Sequence, residues 1–318
     1  MYPELLKIPF TDMTVKSYGT MMVVGFMVAV VVMRRLSLRD GLDPLLITNA
    51  SLYSLIAGVA GARIFFVVHY YDRFRDHPWD VLKIWQGGLE FLGGVVLALF
   101  FIGFYLRRNK MPVRRCLDVM AVGLMIALAF GRIGCLLNGC CFGKPTTLPW
   151  AIRFPYGSYA YTSQINPNAE RGRTESHLRI PQHEYCHLDE GRWYPRALDS
   201  LTTQQQFDVT EGKYRCLSVH PSQVYSSLTS LLLSGVLYLF WNRAQRRRGT
   251  DHPARLVSPG QTFGLMLALY GVVRFLLELS RDDNPYEFGH LTISQIIGVG
   301  LVIAGTSILV AVERLKRS

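Results

Sequence analysis

The chain is 318 residues long; half of its residues are hydrophobic, only 18% are charged, and the formal net charge is +11. Soluble domains carry about 25% charged residues, so this composition excludes a disordered chain, a collagen and a small disulfide scaffold, and six cysteines are too few for a cysteine-rich secreted fold. The positive charge points to nucleic acid or to a membrane until its distribution is read.

A helix that crosses a bilayer core takes about 20 mostly apolar residues. Seven segments meet that requirement, at 17–33, 45–68, 89–106, 117–137, 223–241, 262–279 and 291–312. Basic residues follow every second one. Arg34, Arg35 and Arg39 come after the first, and Arg107, Arg108, Lys110, Arg114 and Arg115 after the third. Arg243, Arg246, Arg247, Arg248 and Arg255 follow the fifth, and Arg314, Lys316 and Arg317 the seventh. Lysine and arginine concentrate on the cytoplasmic side of membrane helices, so the amino terminus is expected outside and the carboxyl terminus in the cytoplasm. Charge spread over four short flanks argues against a nucleic-acid partner. Arg34 and Arg35 follow the first apolar segment, whereas a cleavable signal peptide has its charge in front.

Residues 142–222 differ from the rest. They hold Pro145, Pro149, Pro155, Pro167, Pro181 and Pro195 among many Tyr, Gln, Ser and His residues. The expected fold is therefore an all-α polytopic membrane protein of seven transmembrane helices with a small extracytoplasmic insert between spans 4 and 5. Its divisions are 1–141, 142–222 and 223–318, and loops and short strands are expected in the insert. Cys186 and Cys216 lie there, in a compartment that permits disulfides, and their pairing is open. His183 and His187 have i,i+4 spacing without an HExxH frame and read as solvated surface.

Three basic residues lie inside apolar segments: Arg63, Arg132 and Arg274. An arginine at the centre of a membrane helix costs about 2.5–3.5 kcal/mol on insertion scales, and such residues usually face a cavity on a substrate path. Each is nearer the outer end of its segment. Converging there, they would suit a phosphate, which the planar guanidinium binds with two parallel hydrogen bonds. Glu278 is one helical turn after Arg274, so a structural pair is the competing reading for that arginine. Glu90 and Asp118 are the other acids at or within the spans. Glycine clusters mark the same ends. The run Gly131-Arg-Ile-Gly-Cys-Leu-Leu-Asn-Gly-Cys-Cys-Phe-Gly143 reads as a helix that breaks and lets a ligand approach backbone. Gln86-Gly-Gly-Leu-Glu-Phe-Leu-Gly-Gly94 opens the third span, where a helix amino terminus would offer N–H groups to an anion. Close helix packing is the alternative for Gly93 and Gly94.

Taken together, these residues resemble the prolipoprotein diacylglyceryl transferase family over nearly the whole chain. The run around Arg132 resembles the family signature, and Tyr270-Gly-Val-Val-Arg-Phe-Leu-Leu-Glu278 its sixth-span motif. His220-Pro-Ser-Gln-Val-Tyr225 resembles the approach to span 5, Tyr18-Gly19 the head of span 1 and Gly61-Ala-Arg63 a span-2 motif. The resemblance implies a multi-pass enzyme of the bacterial cytoplasmic (inner) membrane. It would move a diacylglyceryl group from phosphatidylglycerol to the lipobox cysteine thiol of a preprolipoprotein, with release of glycerol 1-phosphate. No metal or organic cofactor is implied. Arg132 and Arg274 are expected to hold the phosphate, with Glu278 orienting Arg274. Tyr18, Arg63, Gln86, Gly87, Gly88, Asn138, Gly143 and Tyr270 complete the expected substrate-binding set. Many members have His where Gln86 stands, Asn where Cys135 stands and an acid where Cys140 stands, which leaves Glu90, Glu278 and His220 as alternative bases. A lipid-binding paralogue without chemistry, or a transporter, would use the same arginine-lined cavity. Transporters often carry internal repeats, and none is visible here.

Overall fold

The computed structural model describes residues 4–7, 14–75, 77–83, 87–248 and 258–317. Gln86 lies outside the described residues. Strands β1 (Glu4–Lys7) and β2 (Thr14–Lys16) pair antiparallel ahead of four long helices. These are α1 (Ser17–Arg39), α2 (Pro44–His69), α3 (Phe91–Arg108) and α4 (Val113–Asn138). The insert follows, with α5 (Tyr159–Ile165), α6 (Gln182–Tyr185), β3 (Cys186–Asp189), β4 (Arg192–Pro195) and α7 (Thr203–Thr210). Helices α8 (Ser222–Arg248), α9 (Gln261–Glu278) and α10 (Ile293–Arg317) complete the chain. Among the described residues, α1, α2, α4, α8, α9 and α10 are long and apolar enough to cross a membrane. Helix α3 covers most of the segment expected as the third span and packs along α2.

Local chemistry sets the helix ends. Asp43 caps α2, accepting from the Leu45 N–H at 2.8 Å, with Pro44 at the first helical position. Asp118 caps a different helix from within α4. It is buried and accepts from the Gly260 N–H at 2.7 Å and the Phe263 N–H at 2.9 Å, so an intramembrane acid satisfies the amino terminus of α9.

The helices bury a mixed core of small and large apolar residues and also expose large ones on their outer faces. Ala29, Met33, Ile47, Val119, Met125, Leu237 and Trp241 form one core between α1, α2, α4 and α8. Met27, Phe100, Leu232 and Ile303 are each more than 60% exposed, the arrangement a lipid solvent permits and water does not. Between α2 and α3 the backbones touch. A Cβ at Gly61 would stand 2.5 Å from the Gly93 carbonyl oxygen, and one at Gly94 would stand 2.9 Å from that of Gly58. Gly93 and Gly94 thus serve close helix packing. Gly271 meets the Gly298 carbonyl at 2.5 Å in the same way between α9 and α10.

The insert has its own core of Phe142, Phe154, Tyr161, Ile165, Tyr185, Cys186, Cys216 and Val219. The β3–β4 hairpin and three short helices surround it. Cys186 and Cys216 are both free thiols, pushed up to about 11 by burial. Cys216 donates to Gln164 Oε1 at 3.4 Å. His183 and His187 fall on different elements, α6 and β3. His183 meets Trp193 edge-on and His187 stacks on Tyr194.

Candidate functional site

At the carboxyl end of α9, the 1%-exposed carboxylate of Glu278 gathers three guanidiniums. Arg274, one turn earlier, reaches Oε2 at 3.1 Å, and Arg281 reaches the same oxygen at 3.9 Å. Arg171, from the insert, stands 3.6 Å from Oε1, and Asn284 donates to that oxygen at 2.6 Å. Arg274 also donates to Ser294 Oγ of α10 at 2.5 Å. Asp283 takes Arg281 with two parallel bonds of 2.9 and 2.7 Å. Burial alone would lower the pKa of Arg281; Asp283, Cys141 and Glu278 outweigh it and hold the guanidinium above its usual range. Asp282 faces His177 at 3.2 Å and Arg173 at 3.8 Å.

Arg132 completes the cluster from α4. It is half-buried and within electrostatic range of Cys135, Cys141, Tyr270 and Arg281. Arg274 in turn feels Arg281, Glu278, Arg132 and Tyr270. Among the described residues, Arg132 has no carboxylate partner. Tyr18, in the first turn of α1, packs on Gly134, where a Cβ would meet its ring at 3.2 Å, and it lies within range of Arg132. Asn138 is the last residue of α4, beside Cys140. A buried region with more guanidinium than carboxylate charge, and one cation left uncompensated, is arranged to take an anion.

Two expectations about the glycine runs change. Helix α4 does not break at Gly131 or Gly134. It continues to Asn138 and stops at Gly139, whose φ of +78° forms the left-handed cap. Gly131 and Gly134 make room for Met22 and Tyr18 of α1 instead. Gly143 does allow a close approach, but by the chain itself: its Cβ would stand 2.5 Å from the His220 carbonyl oxygen and 2.8 Å from that of Ser280. The Lys144 N–H donates to Ser280 O at 2.8 Å and the His220 N–H to Lys144 O at 3.0 Å. Ser222 and Gln223 then donate to the carbonyls of Cys141 and Cys140 at 2.6 and 2.7 Å. The His-Pro-Ser-Gln segment therefore ties the α4 end to the α9 end.

Arg63 does not join the cluster through any hydrogen bond it makes among the described residues. Nε donates to Val81 O at 2.8 Å, Nη1 to Gly87 O and Gly88 O at 2.8 and 2.9 Å, and Nη2 to Asp80 O and Lys83 O at 2.6 and 3.5 Å. Phe66 and Phe74 cover it. All its donors are engaged by backbone carbonyls, so it ties α2 to the backbone of Asp80, Val81, Lys83, Gly87 and Gly88 ahead of α3. Gly87 and Gly88 turn their carbonyls toward it, with φ of +89° and +74°. Replacing Gly88 by Ala is expected to destabilise the protein by more than the ~1–2 kcal/mol of left-handed backbone strain, because the added methyl would strike Phe66 and Arg63. Gly157→Ala has similar strain at φ +75° and open space around it. Thermal unfolding in detergent should show the larger loss for Gly88; equal losses would contradict the clash.

Of the alternative bases, Glu90 precedes α3 and faces His69 at 3.4 Å, and His220 faces the Tyr225 hydroxyl at 3.4 Å. Glu278 accepts from Asn284 at Oε1, and its Oε2, without a hydrogen bond among the described residues, is ion-paired with Arg274 and Arg281. Arg281 and Arg171 lie outside the apolar segments, so the rule that singles out charges within a span does not mark them. The spacing Arg274-x3-Glu278-x2-Arg281 holds a signal for the first; nothing local marks the second.

The fold and site define a polytopic helical membrane protein with a buried, arginine-rich cluster at the carboxyl end of α9. A profile of the prolipoprotein diacylglyceryl transferase family matches residues 3–311, and the chain belongs to that family. It is similar to proteins named phosphatidylglycerol–prolipoprotein diacylglyceryl transferase in several bacteria. That of Burkholderia cenocepacia strain HI2424 is 30% identical over 315 residues, 94% of this chain and 90% of the relative. That of Clostridium tetani is 24% identical, covering 91% and 89%, and that of Chloroflexus aggregans 26%, covering 92% and 84%.

Proposed function

We propose that the chain transfers a diacylglyceryl group from phosphatidylglycerol to the cysteine thiol of a prolipoprotein lipobox. The thiol sulfur attacks the glyceryl carbon that bears the phosphate. A carbon–sulfur bond forms, the carbon–oxygen bond to phosphate breaks, glycerol 1-phosphate leaves, and the thiol proton is lost. The nucleophile belongs to the substrate, so the protein must hold the phosphate and stabilise the charge that develops on it. Donors set in advance in a water-poor site do this most effectively. The observation that carries the reading is Arg132, uncompensated beside the Arg274–Glu278–Arg281 group. Arg132 and Arg274 grip the phosphate, while Glu278 holds Arg274 in line. Tyr18, Tyr270 and Asn138 donate to lipid or glycerol oxygens.

In this reading α3 also crosses the membrane, as the third of seven spans, the amino terminus lies outside the bacterial cytoplasmic membrane and the basic flanks lie inside. The chain divides at 1–141, 142–222 and 223–318, a division supported by the separate core of the insert. Gly87 and Gly88 act through the carbonyls that hold Arg63, and Gln86 remains assigned to substrate binding. The test is in vitro transfer. Purified protein with phosphatidylglycerol and a lipobox peptide is expected to yield the thioether peptide and glycerol 1-phosphate by mass spectrometry. Folded, lipid-bound protein that yields neither would favour the paralogue that binds lipid without chemistry, a reading to which Cys135 and Cys140 lend some support.

A further inference from the structure

Cys135, Cys140 and Cys141 place three sulfur atoms within 4.8 Å of one another, and no histidine or carboxylate belongs to the group. The backbone explains how. Cys135 is in the last turn of α4, and the left-handed Gly139 folds the next two residues back over that turn. Cys140 Sγ approaches the Cys135 carbonyl at 3.8 Å. Cys141 is itself left-handed, at φ +61°, a conformation that disfavours a residue bearing a Cβ. Strain of about 1–3 kcal/mol per residue persists only where the surroundings impose it, and here they do. Ser222 grips the Cys141 carbonyl, and Gln223, 1% exposed, grips that of Cys140. The other amide atom of Gln223, Oε1, is buried without a hydrogen-bond partner among the described residues.

All six cysteines of the chain are free thiols, and these three are the ones brought together. Metal–thiolate bonds of about 2.3 Å place the sulfurs of one site about 4 Å apart, so the cluster closes on an ion with small side-chain rotations. Three sulfur donors select a soft cation. A structural zinc site would want a fourth protein ligand, which the group does not supply, whereas cuprous copper is satisfied by three thiolates. Arg132 and Arg281, both in electrostatic range of Cys141, offset the negative charge such a site would carry.

We propose that Cys135, Cys140 and Cys141 form a three-thiolate site for a soft monovalent cation, cuprous copper, beside the anion-binding arginines. The test uses the full chain in detergent, reduced and free of oxygen, titrated with Cu(I) against a chromophoric Cu(I) chelator. One ion per chain is expected. Cys135→Ser or Cys141→Ser should weaken binding by about 100-fold or more, at least the loss caused by disturbing a ligand's supporting residues. Cys140→Ser, at a half-exposed position, provides a second variant if either of those fails to fold, and Cys186→Ser with Cys216→Ser should leave the stoichiometry unchanged. Binding the three serine variants as tightly as the parent would overturn the site. So would a disulfide among the three in protein prepared without reductant, followed by no uptake after reduction. Zinc captured in place of Cu(I) would overturn the choice of ion. Binding is read with no lipid or peptide present, so its failure is distinguishable from failure of the transferase reading.

Discussion

Arg132→Gln is expected to lower the transfer rate by about 100- to 1,000-fold, the loss that follows removal of one pre-set donor to developing charge. The folded protein should persist, because among the described residues Arg132 has no carboxylate partner that its removal would strand. Glutamine keeps a polar side chain, two bonds shorter than the guanidinium, and deletes the charge. Arg132→Lys should recover part of the rate, since an ammonium restores charge without the planar fork. The measurement is thioether formation per folded protein, with thermal unfolding in the same detergent as the control. Normal turnover by the glutamine variant would remove the phosphate clamp as the mechanism. A rate loss matched by a collapse in thermal stability would assign Arg132 to architecture instead.

Glu278→Gln should damage stability and activity together. The carboxylate is buried, and three guanidiniums lie within 4 Å of it. Breaking a buried ion pair from one side costs about 3–5 kcal/mol, because the remaining charge is left uncompensated. Glutamine retains an acceptor for Asn284 and loses only the charge. The protein is therefore expected to melt at a lower temperature and to transfer more slowly as Arg274 swings from its position. The Arg171→Ala, Glu278→Gln pair discriminates further, since removing one stranded cation should return part of the stability. A Glu278→Gln protein with parental melting temperature and parental rate would show that the arginines do not depend on this carboxylate.

The candidate site is partly legible in the sequence, for a reason that differs residue by residue. Arg132 and Arg274 stand out because a charge in an apolar run is costly and therefore informative. Glu278 stands out by its one-turn spacing from Arg274. Arg63 satisfies the same criterion yet makes its hydrogen bonds elsewhere. Its partners are backbone carbonyls 17 to 25 residues downstream, and a carbonyl has no signature in sequence. Arg171 is hidden for the opposite reason. In a polar insert an arginine is ordinary, and only the folding of that insert onto the end of α9 takes it to Glu278. The glycines divide similarly: Gly139 ends a helix, Gly61 and Gly93 let two helices touch, and Gly143 admits the chain's own backbone.

What the sequence determined alone is the solvent and the element type. Long apolar runs must hydrogen-bond their own backbone in lipid, which leaves helices as the economical solution. The family follows from motifs in order along the chain. Tertiary structure decided which charges meet. Ion pairing depends on distances of a few ångströms between residues more than a hundred positions apart, as with Arg171 and Glu278. Those distances are set by helix crossings and by the docking of the insert. No local pattern of residues encodes them.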